Sequence, residues 1–100
     1  MAGRVRLLAT LMVRHLNIFG QVQGVGFRYH FSAQAQALGV SGWVRNRRGG
    51  SVEAMIAGAP EAVEALIAWA RMGPAAAQVE RVEVSEAQGE FAGFELRPTQ

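Results

Sequence analysis

Arg28 stands where a cation is least expected. It follows Gln21-Val22-Gln23-Gly24-Val25-Gly26-Phe27, a stretch whose glycines, with Gly20 just ahead, break a strand pattern immediately before a helix pattern begins. A helix start leaves four backbone N–H groups without partners and carries the positive end of the helix dipole, so Ser, Thr, Asp or Asn caps and acidic first turns are the rule there. No such cap precedes this helix, and no acidic residue occurs anywhere from Phe19 to Val52. A cation in that turn is disfavoured by a few tenths up to about 1 kcal/mol. The combination makes sense if an anion normally occupies the turn. Bare amide groups, approached closely because Gly24 and Gly26 carry no side chain, form a cradle, and the planar fork of Arg28 matches two oxygens of a phosphate. The residues alone leave a second reading open, in which the glycines only make a tight turn and Arg28 is a solvated side chain.

The rest of the composition narrows the chemistry. All ten basic residues are Arg and all eight acidic ones are Glu, with no Lys, Asp or Cys. Lysine Schiff bases, thiolate nucleophiles, disulfides and a Ser-His-Asp triad are therefore excluded. A cysteine-free chain also fits a reducing cytoplasm, the expected location. The two histidines, His15 and His30, have no cluster of carboxylates around them in the sequence; structural roles are expected, with no metal and no cofactor. A net charge of +2 is too small for strong generic nucleic-acid binding. Phe27, Tyr29 and Phe31 would suit stacking on RNA, but they fall on a helix and lack the paired strand aromatics of RNA-binding sheets. Trp43 and Trp69 read as core or sheet-face residues. Arg45, Arg47 and Arg48 read first as a solvated hairpin turn, with steering of a dianionic substrate as the alternative. No apolar run approaches the roughly 20 residues of a membrane span.

These residues must be positioned by one compact domain, since 100 residues leave no room for a second core. Residues 1–12, rich in Arg and free of acid, read as an extension ahead of the domain, which occupies residues 13–100. A strand runs from Val13 to Phe19 with Leu16 and Ile18 on one face. The helix after the glycine-rich turn spans Phe27 to Leu38, with Phe27, Phe31, Ala35 and Leu38 at helical spacing and Gly39 just past its end. A hairpin follows, Val40 to Asn46 and Ser51 to Ala57 around Arg47-Arg48-Gly49-Gly50, with Val52, Ala54 and Ile56 pointing inward. The second helix opens at Pro60, carries the stripe Val63, Leu66, Ile67 and Ala70, and stops at Gly73-Pro74. Val82 and Val84 mark a fourth strand, Phe94 and Leu96 a short last one. The order β-α-β-β-α-β predicts an α+β domain of the ferredoxin-like, split-βαβ kind: an antiparallel sheet with two helices on one face.

The same residues resemble the acylphosphatase family. The resemblance rests on Gly20-Gln21-Val22-Gln23-Gly24-Val25-Gly26-Phe27-Arg28, then Gly42-Trp43-Val44-Arg45-Asn46 and Gly50-Ser51-Val52-Glu53, and continues through Glu61 to Leu66 and Gly73-Pro74 to Gly93-Phe94-Glu95. It covers about Val13 to Arg97. It implies hydrolysis of the carboxyl-phosphate anhydride of small acyl phosphates without metal, with inorganic phosphate as product and inhibitor. It also implies that Arg28 is the phosphate-binding arginine, Asn46 the water-positioning asparagine and Gln21 to Phe27 the phosphate-cradling loop. Two positions depart from the family pattern: Gln21 is more often basic, which weakens attraction for the substrate, and Arg47-Arg48-Gly49 replaces a more polar or acidic turn, which restores it. No nucleic-acid or membrane partner is expected, and the chain is expected to be a monomer. Two rival readings remain: a non-catalytic ferredoxin-like module that binds phosphate-bearing ligands or RNA, and a domain of a larger carbamoyl-phosphate-using enzyme.

Overall fold

The computed structural model describes residues 11–100. The expected extension falls almost wholly on residues 1–10, outside the described part. The elements are β1 (Met12–Gln21), α1 (Phe27–Leu38), β2 (Ser41–Asn46), β3 (Val52–Gly58), α2 (Pro60–Met72), β4 (Gln78–Glu86) and β5 (Phe94–Arg97). Both helices begin and end where their local chemistry dictates. Gly39 adopts the left-handed conformation past α1 and its N–H reaches back to the Ala35 and Gln36 carbonyls, while α2 starts on Pro60 with Glu61 in its first turn and Arg71 in its last.

The sheet order is β4-β1-β3-β2-β5. The first four strands pair antiparallel, as expected, but β5 lies parallel to β2, with Phe94 opposite Gly42 and Leu96 opposite Val44. The four strands of the expected ferredoxin-like plan form its antiparallel sheet, and the short extra strand, whose direction the sequence does not indicate, makes the whole sheet mixed. Chain geometry explains this. β4 ends at one edge of the sheet and β5 begins at the other, so residues 87–93 must travel along the sheet's end. Crossing four strand spacings takes roughly 19 Å, within reach of an extended segment at roughly 3.3 Å per residue. A strand entered from that end runs in the direction of β2. A second difference concerns β1, which passes its expected end at Phe19. A register shift between Phe19 and Gly20 leaves Glu80 of β4 as the extra, unpaired residue of a bulge and lets pairing continue through Gly20, opposite Val79, to Gln21, opposite Gln78.

Alternation along the strands divides the residues cleanly. Leu16, Ile18, Val44, Val52, Ala54 and Ile56 are fully buried beneath the helices, α1 lying over β2 and β5 and α2 over β4, β1 and β3. Val84 shares that side, opposite Leu16, but is partly exposed because β4 is an outer strand. The two helices are locked by aromatic rings: Phe27 and Phe31 pack on Trp69 at 5.5 and 6.1 Å between centroids, and Phe31 on Phe94 at 5.8 Å. Each such buried side chain contributes about 1.5–3 kcal/mol through its area, and aromatic pairs somewhat more. Phe27 is the first residue of α1 and is 1% exposed, so the core itself fixes where that helix begins and where Arg28 emerges.

Candidate active site

The turn between β1 and α1 is built on two left-handed glycines. Gly24 and Gly26 both have φ of 76°, and Gly26 is the N-cap of α1, with no side chain capping it and no acidic residue in the first turn. A side chain at Gly24 would meet open space, so what the position demands is the backbone conformation, which L residues rarely adopt. Alternating right- and left-handed residues turn successive N–H groups toward one concavity. Among the described residues, no backbone N–H from Gly24 to Arg28 donates to a protein acceptor. The only backbone bond reaching back into the turn is His30 N–H to the Gly26 carbonyl, at 3.1 Å.

These groups open into a pocket of about 360 Å³ lined by Val22, Gly24, Gly26, Phe27, Arg28, Tyr29, Asn46 and Leu96. Arg28 and Asn46, 18 positions apart in sequence, thus share one cavity. Asn46 arrives there because it ends β2 in phase with Val44, on the helix side of the sheet, opposite Val52. Arg28 is half-buried. Its Nη1 donates to the Arg97 carbonyl at 3.3 Å, and among the described residues it takes part in no ion pair. A guanidinium has five N–H donors, so one long bond leaves most of the fork free to face the pocket. The Asn46 main chain is held from the same side, its carbonyl accepting the Gln100 N–H at 3.1 Å.

The expected loop splits by role. Val22, Gly24, Gly26 and Phe27 line the pocket. Gln21, Gln23 and Val25 do not; Gln21 belongs to β1, and Val25 is half-buried against the core. The Gln23 side chain spans to the β2–β3 hairpin, where its Nε2 donates to the Arg47 carbonyl at 2.7 Å and the Ser51 carbonyl at 2.8 Å. Both amide hydrogens are used, and the turn that carries Arg28 is thereby tied to the hairpin that carries Asn46. Sequence reading missed this tie because a glutamine in a polar turn gives no sign of its partner. It also missed Tyr29 and Leu96 as pocket residues.

Other candidates find different places. Arg45 and Arg47 are not free to steer a ligand: Arg45 Nε donates to Glu53 Oε1 at 2.8 Å and Arg47 Nη1 to the same oxygen at 3.2 Å, while His15 Nε2 lies 2.6 Å from Glu53 Oε2. This cluster sits on the sheet face away from the helices. Burial pushes the Glu53 carboxyl up, but the hydrogen bonds and charges of His15 and Arg45 outweigh it and hold the group below its ordinary value of 4.5. Trp43 lies on the same face and is covered by the Arg45 and Arg97 guanidinium groups, 4.7 and 4.9 Å from its ring. His30 Nδ1 is 2.8 Å from the Gly26 carbonyl, and neither histidine lines the pocket. Phe27 and Phe31 are buried, leaving Tyr29 alone of the three helix aromatics exposed, which removes the stacking surface an RNA-binding reading requires.

Fold and site together define a ferredoxin-like α+β domain with unpartnered backbone amides and an arginine opening into a pocket at the entry to its first helix. The acylphosphatase family model matches residues 14–96. An acylphosphatase of Thiobacillus denitrificans is 60% identical over 83 residues, covering 83% of this chain and 93% of the relative. The structure of an acylphosphatase from Coxiella burnetii superposes with a TM-score of 0.85 at 30% identity, covering 97% of this chain and all of that one. Full-length HypF in its phosphate- and nucleotide-bound form contains a similar domain, with a TM-score of 0.83 and 28% identity over 90% of this chain but 12% of HypF. The chain belongs to the acylphosphatase family. Its activity is that of an acylphosphatase, a hydrolase acting on acyl phosphates and releasing phosphate.

Proposed function

We propose that the phosphoryl group of an acyl phosphate is held by the backbone N–H groups of residues 21–27 and by Arg28, and that Asn46 orients the water that attacks it. The observation that carries this reading is the convergence of unpartnered amides, an arginine outside any ion pair and a polar side chain in one cavity. The chemistry asks for little more. The leaving group is a carboxylate whose conjugate acid has a pKa of about 4, so it departs without a general acid. Phosphoryl transfer through a loose transition state needs the equatorial oxygens held and their charge met, which amides and a guanidinium do. The Asn46 side-chain carbonyl accepts a hydrogen bond from water and fixes its approach, and a substrate oxygen takes the proton. Water adds to phosphorus, the P–O bond to the acyl group breaks, and a carboxylate and inorganic phosphate leave. No titrating side chain is required.

We also read the chain as a cytoplasmic monomer, on its cysteine-free composition and on an outer strand, β4, whose exposed Glu80, Arg81, Glu83 and Glu86 discourage edge-to-edge pairing. Among the described residues no helix is long and apolar enough to cross a membrane. The decisive experiment is Arg28→Ala assayed by the ultraviolet loss of benzoyl phosphate, with inorganic phosphate as competitor. Removal of one oxyanion donor commonly costs about 100-fold or more, and that loss is expected here. Near wild-type turnover would refute the role given to Arg28.

A further inference from the structure

Two of the large apolar side chains left exposed by folding sit on the rim of this same cavity. Tyr29 is 74% exposed and Leu96 44% exposed, and both line the pocket with Arg28 and Asn46. Leu96 is the more informative of the two. On β5 it has the phase of Phe94, on the helix side of the sheet, and it lies opposite the fully buried Val44. Phe94 is covered by Phe31 of α1. One repeat further along the strand, Leu96 has passed beyond the first turn of that helix, and the space it faces is the pocket. A position patterned for burial is thus left uncovered at the site. Tyr29, the third residue of α1, adds an aromatic ring to the other rim.

The volume fits an occupant larger than phosphate. About 360 Å³ lies at the lower end of the roughly 300–1,000 Å³ range of small-molecule sites, whereas a phosphoryl group brings only a phosphorus and its oxygens. If the phosphoryl end occupies the amide cradle, the organic end of the substrate has to run along what remains of the lining, and that remainder is apolar. We propose that Tyr29 and Leu96 form the acyl-group subsite and select acyl phosphates with an aromatic or extended apolar acyl chain over those with a short one. The proposal rests on the phosphate-cradle reading above. Apolar burial at such a rim discriminates modestly, since a methylene or two in a hydrophobic pocket is worth about 10- to 200-fold at best and less at an open edge.

The test compares benzoyl phosphate with acetyl phosphate in the full-length chain. In the wild type kcat/KM should favour benzoyl phosphate. Tyr29→Ala and Leu96→Ala should each lower kcat/KM for benzoyl phosphate about five- to tenfold more than for acetyl phosphate, mainly through KM. The inhibition constant of inorganic phosphate, measured in parallel, reports the cradle alone, and thermal unfolding shows that the variants remain folded. Because each variant is judged on the ratio of two substrates, a general loss of folded protein cancels. An unchanged ratio in both variants overturns the proposal, whether the two activities fall together or not at all. Failure of the cradle reading looks different: Arg28→Ala would keep its turnover and its inhibition by phosphate, whatever the substrate ratio does.

Discussion

At the scale of single residues, the proposed mechanism separates holding from orienting. Arg28 brings charge and a planar donor set; Asn46 brings a neutral amide that cannot act as a base near neutrality. That division predicts unlike phenotypes. Asn46→Ala should lower kcat by about 100-fold or more, since a misplaced nucleophile forfeits much of the advantage of orientation, while the inhibition constant of phosphate changes little. Loss of phosphate inhibition in a folded Asn46→Ala protein would make Asn46 a binding group instead. Arg28 and the glycines beside it were visible in the sequence because each breaks a local rule: a cation at a positive helix end, and a helix start without a cap. Asn46 breaks no rule, and only the family resemblance singled it out. Leu96 went unnoticed for the opposite reason, since it obeys the pattern of its strand, and Tyr29 reads in the sequence only as a stacking residue; only the folded structure places both on the pocket.

At the scale of elements, the turn after β1 and the β2–β3 hairpin act as one unit because Gln23 joins them. Its two hydrogen bonds end on backbone carbonyls, so the hairpin's own side chains are irrelevant to the tie. Gln23→Ala should destabilise the protein by about 1–2 kcal/mol, taking about 1 kcal/mol for each bond lost. It should also lower kcat about tenfold, beyond what the unfolded fraction explains, because the two halves of the cavity would drift apart. Urea denaturation and steady-state kinetics on the same preparation separate the two effects, and a stability loss with unchanged kcat would reduce Gln23 to a structural brace. Helix boundaries could be read from the sequence since Gly39, Pro60 and Gly73 mark them locally. The continuation of β1 through Gly20, opposite a bulge at Glu80, could not, because a glycine in a strand and a glycine in a turn look alike until the partner strand is known. The direction of β5 was hidden for the same reason: it depends on where β4 ends in space.

At the scale of the whole molecule, the sheet has two unlike faces, one buried under helices and one carrying Glu53 among His15, Arg45 and Arg47. These charges come from three strands and the β2–β3 turn, and no local pattern in the sequence foretells such a meeting. Because the folded protein holds the Glu53 carboxyl below its ordinary value, the cluster's contribution to stability is fully present above about pH 4.5 and is lost as pH falls through the lower folded-state value. Stability of the wild type and of Glu53→Gln, compared by urea unfolding from about pH 6 to about pH 3, should therefore converge toward the acid end. A gap independent of pH would show that Glu53 contributes by packing alone. The topology also sets a timetable. The carbonyl that receives the Arg28 guanidinium lies 69 residues downstream, on the last strand, which pairs with β2 at the edge opposite β4. A nascent polypeptide emerging from the ribosome can therefore form its amide-rich turn early, but the cavity closes around it only when synthesis has delivered Arg97 and the residues that follow.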